Sequence, residues 1–231
     1  MTVAIPDARL RSAADFVRRG ACLADVGCDH AILPVWLCGQ GKVRFAYACD
    51  IAAGPCERAR AAVSRAGLSD CIRVVQTDGL KGLEECGITD VSICGMGGEL
   101  IAHIISEAGF VRDPAVRLIL VPMSKPAALR RYLAENGFAV AAESISEVSG
   151  KLYFCLCACF DGRARALSPF AAEFGEHLPA ETPVSPLFLR YLAQKKASLL
   201  RRCRGLAQAG LPHEGEDALA EEIERFIHDR T

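Results

Sequence analysis

Residues 23 to 34 read LADVGCDHAILP, and no other stretch constrains the chain as strongly. Leu23, Ala24 and Val26 are the pattern of a strand buried on both faces, as in the middle of a parallel sheet. Gly27 allows a sharp turn after that strand and, having no side chain, lets a ligand lie against bare backbone. Asp29 and His30 then open a helix predicted from about Ala31 to Gly39, whose first amides have no intrahelical partner and suit a carboxylate or a phosphate. Asp25, at the strand end, can accept hydrogen bonds from an ammonium group or from backbone amides. The combination suits an amino-acid moiety better than a pyrophosphate.

The following strands repeat the pattern. Phe45 to Cys49 ends in Asp50, at the spacing where an acid reaches ribose hydroxyls in nucleotide-binding βαβ units. Ile72 to Val75 ends in QTDGL, which puts Asp78 and Gly79 at the next strand end, near an adenine. Val91 to Cys94 ends in GMGGEL, a glycine-rich loop whose Gly95, Met96 and Gly97 are expected to line the cofactor. A single DxG is weak, whereas three strand-end acids and a glycine-rich fourth loop form a specific set.

Helical patterns lie between these runs: Pro6 to Arg19, a crossover from Gly54 and Pro55 to Gly67, Glu99 to Ala108, and Pro126 to Asn136 after a fifth strand at Leu118 to Val121. Two extended runs, Val140 to Val148 and Leu152 to Phe160, flank Ser149 and Gly150 and predict a hairpin. The expected fold is α/β, a Rossmann-like sheet, mostly parallel with one reversed strand at an edge. Residues 1–160 should form this domain. Residues 161–231 should form a linker, with a short helix around Phe170 to Phe174, and a coiled-coil-like helical hairpin of Leu187 to Gln208 and Asp217 to Asp229.

Composition excludes several classes. A net charge of −1 rules out a polycation, so a nucleic acid would have to meet a local patch. Most of the 12 cysteines sit inside apolar runs, no CxxC pair occurs, and Asp7, Arg9 and Arg11 replace a secretory apolar stretch. Reduced thiols and a cytoplasmic location are expected, and Cys155, Cys157 and Cys159, on one strand face, are expected to be packed thiols rather than metal ligands. No apolar run approaches membrane-spanning length.

The order DVGCDHAILP, CDIAAGP, QTDGL, ICGMGGELI, LRRYLAENGF and ISEVSGKLYF resembles the bacterial tRNA adenine-N1 methyltransferases of the TrmK type over nearly the whole chain, with FGEHL and SPLFLRYL leading into the hairpin. The resemblance implies a seven-strand sheet that binds S-adenosylmethionine and methylates N1 of adenosine 22 in tRNA. It implies that Asp25 and Gly27 line the methionine end, that Asp50 holds the ribose, and that Asp78 and Gly79 flank the adenine. Two positions depart from the family: Asp50 stands where many members have glutamate, and Val121 stands where glutamine is frequent, so an altered acceptor pocket is expected there.

Methyl transfer to a ring nitrogen needs no strong base, but it leaves positive charge on the ring that a carboxylate can stabilise. Asp29 is the candidate for that role, with His30 beside it. The glycines after the fourth strand fit a ring-nitrogen acceptor, since they leave no proline-aromatic grip for an exocyclic amine. Lys195, Arg201 and Arg202 on the basic hairpin helix are candidates for tRNA phosphates, although acidic residues after the loop could pair with them instead. A monomer without a metal is expected. The alternatives are the same donor with another RNA or a small-molecule acceptor, and a non-catalytic S-adenosylmethionine-binding module.

Overall fold

The computed structural model describes residues 6–176 and 185–229. The chain divides into two compact units, Met1–Ala166 and Leu167–Thr231.

The first unit runs α1 (Ala8–Phe16), β1 (Ala21–Val26), α2 (Ile32–Gly39), β2 (Val43–Asp50), α3 (Ala53–Ala66), β3 (Ile72–Gln76), β4 (Asp90–Gly97), α4 (Gly98–Glu107), β5 (Arg117–Ser124), α5 (Pro126–Glu135), β6 (Phe138–Val148) and β7 (Lys151–Phe160). Its seven strands form one sheet in the order β3-β2-β1-β4-β5-β7-β6. The fully buried run of β1 lies near the centre between β2 and β4, both parallel to it. β7 alone runs antiparallel, paired with β5 on one side and with the outermost strand β6 on the other. The reversed strand therefore belongs to the edge hairpin. Leu118, Ile119, Leu120 and Val121 of β5 are all completely buried.

The chain leaves β1 for β2 and β3, then returns to β4 on the other side of β1. This reversal opens a crevice at the carboxyl ends of β1 and β4, where open α/β sheets bind ligands. The opposite edge is tied shut. Asp90, wholly buried at the start of β4, accepts hydrogen bonds from the Arg18 backbone N–H and from Nε, both at 2.8 Å. A second buried pair joins α5 to β6, where Arg130 Nη2 lies 2.5 Å from Glu143 with the Phe154 ring 4.6 Å from its guanidinium carbon. Removing Arg18 would leave the Asp90 charge buried, and removing Glu143 would leave that of Arg130, so these pairs hold the scaffold rather than the chemistry.

The second unit contains α6 (Pro169–Phe174), α7 (Pro186–Gln208) and α8 (Glu214–His228). Ser168 and Ser185 cap α6 and α7 by accepting from the amides of Ala171 and Phe188. Leu192 and Leu199, seven apart, are buried, as are Cys203 and Ile223. Phe226 packs against Phe170 and Phe188, with ring centroids 5.3 and 6.2 Å away. The last helix begins at Glu214 rather than at the expected Asp217, because Glu214, Glu216 and Asp217 in its first turn complement the helix dipole. Asp217 also accepts from Cys203 and lies 2.5 Å from His213 Nδ1, contacts that lower its pKa. Residues 177–184, which include part of the FGEHL stretch and of the expected linker, lie outside the described residues.

Candidate active site

The crevice at the β1/β4 switch point holds a cleft of about 280 Å³ walled by Arg9, Asp25, Gly27, Asp29, His30 and Gly95, among others. The turn after β1 forms its floor. The amides of Gly27 and Cys28 both donate to the Cys49 carbonyl, at 2.8 and 3.0 Å, which pins the turn beside the strand that ends in Asp50. Gly27 has φ +73°, so the turn itself requires glycine, and the flexible end of Met96 lies where a Cβ would be, 2.3 Å from Cε. Gly95, at φ +96°, needs the same freedom.

Asp25 is 5 % exposed and accepts a 2.6 Å hydrogen bond from Ser92 Oγ, its register partner on β4. Burial pushes its carboxyl up to about 7, with the Ser92 hydrogen bond opposing that rise. The sequence marked Asp25 but not Ser92. The signal lay in a lone hydroxyl within the apolar run VSIC, readable only once the β1/β4 register was known.

Asp29 and His30 do not open α2. They lie in the turn before it, with Asp29 at φ 42° and Ala31 at φ 50°, and the helix starts at Ile32. Ala31, at the N-cap, makes no side-chain cap, and Asp29 does not cap the helix either. The Asp29 carboxylate is half exposed on the cleft wall and lies 2.6 Å from Arg58 Nη2 and 3.7 Å from His30 Nε2. It is therefore accessible to a substrate, but it shares its charge with Arg58.

Asp50 ends β2, partly exposed, with Oδ1 accepting from the Ala52 amide at 3.0 Å. Asp78 and Gly79 lie apart from the cleft, in a recess of about 20 Å³ shared with His103 and Ile104. That volume holds about one water and no purine. Asp78 is exposed and hydrogen-bonded to Lys81 at 2.6 Å, which lowers its pKa.

Cys94 borders the cleft, yet burial, followed by the nearby Asp25 charge, raises its pKa well above the ordinary thiol value and leaves it inert. Val121 corrects an expectation. Its side chain sits in the core at zero exposure, so it shapes no acceptor pocket; β5 runs on to Ser124, and its exposed apolar residue is Met123. Arg9, from α1, was not foreseen, because nothing local distinguishes it from an ordinary helix-face arginine. It reaches the cleft wall beside Gly95, whose absent Cβ would lie 3.5 Å from Nη1.

On the second unit, Lys195 Nζ lies 2.6 Å from Glu173, Lys196 lies 2.8 Å from Glu224, and Arg202 Nε lies 3.1 Å from Glu216. Arg201 is exposed.

Residues 7–156 match a family model described as a methyltransferase domain. The tRNA (adenine(22)-N(1))-methyltransferase of Bacillus subtilis (strain 168) is 37% identical over 194 residues, covering 84% of this chain and 78% of that protein. Among solved structures, the B. subtilis m1A22 tRNA methyltransferase TrmK is 29% identical with TM-score 0.82, each chain fully covered. Streptococcus pneumoniae Sp1610 in complex with S-adenosyl-L-methionine is 33% identical with TM-score 0.82, covering 95% of this chain and 99% of that one. With that identity spread over most of both sequences, and the same fold from end to end, the chain belongs to the tRNA (adenine(22)-N(1))-methyltransferase family.

Proposed function

We propose that this protein transfers the methyl group of S-adenosylmethionine to N1 of adenosine 22 in tRNA. The observation that carries the reading is the cleft at the β1/β4 switch point, with buried Asp25 and the bare Gly27 turn, in a chain 37% identical to an enzyme of that name. The cleft suits the donor chemically. Its acids, Asp25 and Asp29, face a ligand that carries an ammonium and a sulfonium, and the side-chain-free Gly27 turn lines the same cleft. When bound, S-adenosylmethionine would supply an electrophilic methyl group: the N1 lone pair attacks its carbon, the carbon–sulfur bond breaks, S-adenosylhomocysteine leaves as the neutral thioether, and the positive charge passes to the purine ring.

The chain's own residues then divide the remaining work. Asp25 accepts hydrogen bonds from the donor's ammonium, and Asp50, one strand away, accepts from the ribose hydroxyls. Asp78 and Gly79 border the adenine edge-on, since their recess cannot enclose it. Asp29, on the cleft wall, stabilises charge arriving on the target ring, with His30 beside it. Gly95, Met96 and Gly97 leave room for a base turned out of its stack, which N1 requires because it lies on the Watson–Crick edge. Holding the reacting atoms in line is worth up to roughly 7 to 11 kcal/mol, so positioning suffices without a general base. Lys195, Arg201 and Arg202 are proposed to meet tRNA phosphates, and the protein to work as a cytoplasmic monomer without a metal. Among the described residues, no helix is long and apolar enough to cross a membrane.

The test is methylation of unmodified tRNA with labelled donor, beside the same tRNA with guanosine at position 22. Label confined to the adenosine-22 substrate, as 1-methyladenosine, supports the reading; equal labelling of both, or none, overturns it.

A further inference from the structure

The donor and the acceptor must approach the reacting carbon from opposite sides, and the sheet order says which side is left for the base. Asp50 draws the ribose toward β2, so the target purine comes over β4, β5 and β7. β7 runs antiparallel there, so its first residues lie at the carboxyl ends of its neighbours. Its register with β5 pairs Leu120 with Leu156, and continued three residues it brings Met123 level with Tyr153. Arg9 bridges the two. Its Nη1 lies 3.1 Å from Met123 Sδ and its guanidinium carbon 5.9 Å from the Tyr153 ring centroid. Arg9 also walls the cleft, and Met123 is 42% exposed.

We propose that Arg9 and Met123, with the half-buried Tyr153 ring backing the guanidinium from the core side, form the platform on which the target adenine stacks once it has left the tRNA helix. A planar guanidinium and a polarisable thioether are surfaces on which unstacked bases rest. The inference deepens the proposed tRNA reading and rests on it. Methylation makes the ring cationic, so a guanidinium gives no favourable charge interaction in the transition state. Asp7, 3.3 Å from Arg9, offsets part of that charge. The platform therefore acts by binding the face of the neutral base rather than by stabilising developing charge, and it appears in KM for tRNA rather than in kcat.

Arg9→Ala, Tyr153→Ala and Met123→Ala are compared with Arg9→Lys and Tyr153→Phe in steady-state assays on tRNA, with donor binding followed by calorimetry. Expected are a rise of about tenfold in tRNA KM for Arg9→Ala and Tyr153→Ala, a smaller rise for Met123→Ala, and near-native values for Tyr153→Phe, which keeps the ring. Arg9→Lys keeps the charge but not the plane and should resemble Arg9→Ala. Unchanged donor affinity shows that each variant is folded. Weakened donor binding with native tRNA KM would reassign Arg9 to the donor's carboxylate and overturn the platform, as would full function in Arg9→Lys or in Tyr153→Ala. Where Arg9→Ala does not fold, the Arg9→Lys and Tyr153 variants decide. Failure of the wild-type chain to methylate adenosine 22 would instead overturn the reading beneath.

Discussion

Asp25 gives the most direct test at the scale of single residues. Its pKa is raised from 3.8 to about 7 by burial, so between those values the folded chain holds a proton that the unfolded chain has lost. Its contribution to stability is full below about pH 4 and lost as pH rises toward 7, on the order of 4 kcal/mol across the window. Relative to Asp25→Asn, the ligand-free wild type should lose stability from pH 4 to pH 7 in urea melts; a flat difference would refute it. The donor's ammonium needs the ionised form, so donor affinity should rise by about tenfold per pH unit up to pH 7 and then level off. Asp50→Ala should weaken donor binding roughly ten- to a hundredfold, the worth of a charge-assisted hydrogen bond; native affinity in calorimetry would remove the ribose assignment. Asp29→Ala should lower kcat with donor affinity nearly intact. Its Arg58 pair is exposed and adds at most about 1 kcal/mol, and alanine at a left-handed position costs about 1 kcal/mol more, so Asp29→Ala should also melt somewhat earlier. Asn also tolerates the left-handed backbone at φ 42°. Full turnover in Asp29→Asn would show that the carboxylate charge is not used.

Among the elements, Gly98 shows how close packing fixes the glycine-rich loop. A Cβ there would lie 2.4 Å from the Lys125 carbonyl oxygen and 3.2 Å from Leu129 Cβ, at the junction of α4 with α5. Backbone cannot yield as a side-chain end can, so Gly98→Ala should cost about 1 to 3 kcal/mol and lower the melting temperature by several degrees. Gly205, inside α7, has nothing within 4 Å of such a Cβ, so Gly205→Ala should raise helicity and stability by about 0.5 to 1 kcal/mol. A native melting temperature in Gly98→Ala would contradict the packing argument. The elements themselves were legible in sequence because their signals are local: apolar runs for β1, β4 and β5, and Gly67 to stop α3. What escaped depends on partners brought together by pairing. Arg18 meets Asp90 across 72 residues of chain, Ser92 meets Asp25 across 67, and Arg9 reaches Met123 across 114. The start of α8 escaped for the opposite reason, since its acidic first turn resembles a solvated loop until the helix dipole is considered.

For the molecule as a whole, a net charge of −1 leaves no general attraction for RNA, so tRNA must find a local basic surface. On α7 the cations are unequal. Lys195 is 29% exposed and held by Glu173 at 2.6 Å, so a phosphate would have to displace an existing partner. Arg202 pairs with Glu216 at 3.1 Å but remains 69% exposed, and its guanidinium keeps donors to spare. Arg201 is exposed and makes no ion pair among the described residues. Each phosphate contact contributes roughly 0.7 to 0.9 to the slope of log K against log salt. Arg201→Gln and Arg202→Gln should therefore each weaken tRNA binding and flatten that slope by about this amount. Lys195→Gln should change it less, its main effect being loss of the link to Glu173. Replacing all three by glutamine should leave donor binding at its native value. If the triple variant keeps both the affinity for tRNA and the native salt slope, the basic helix serves its acidic neighbours and the RNA is held elsewhere.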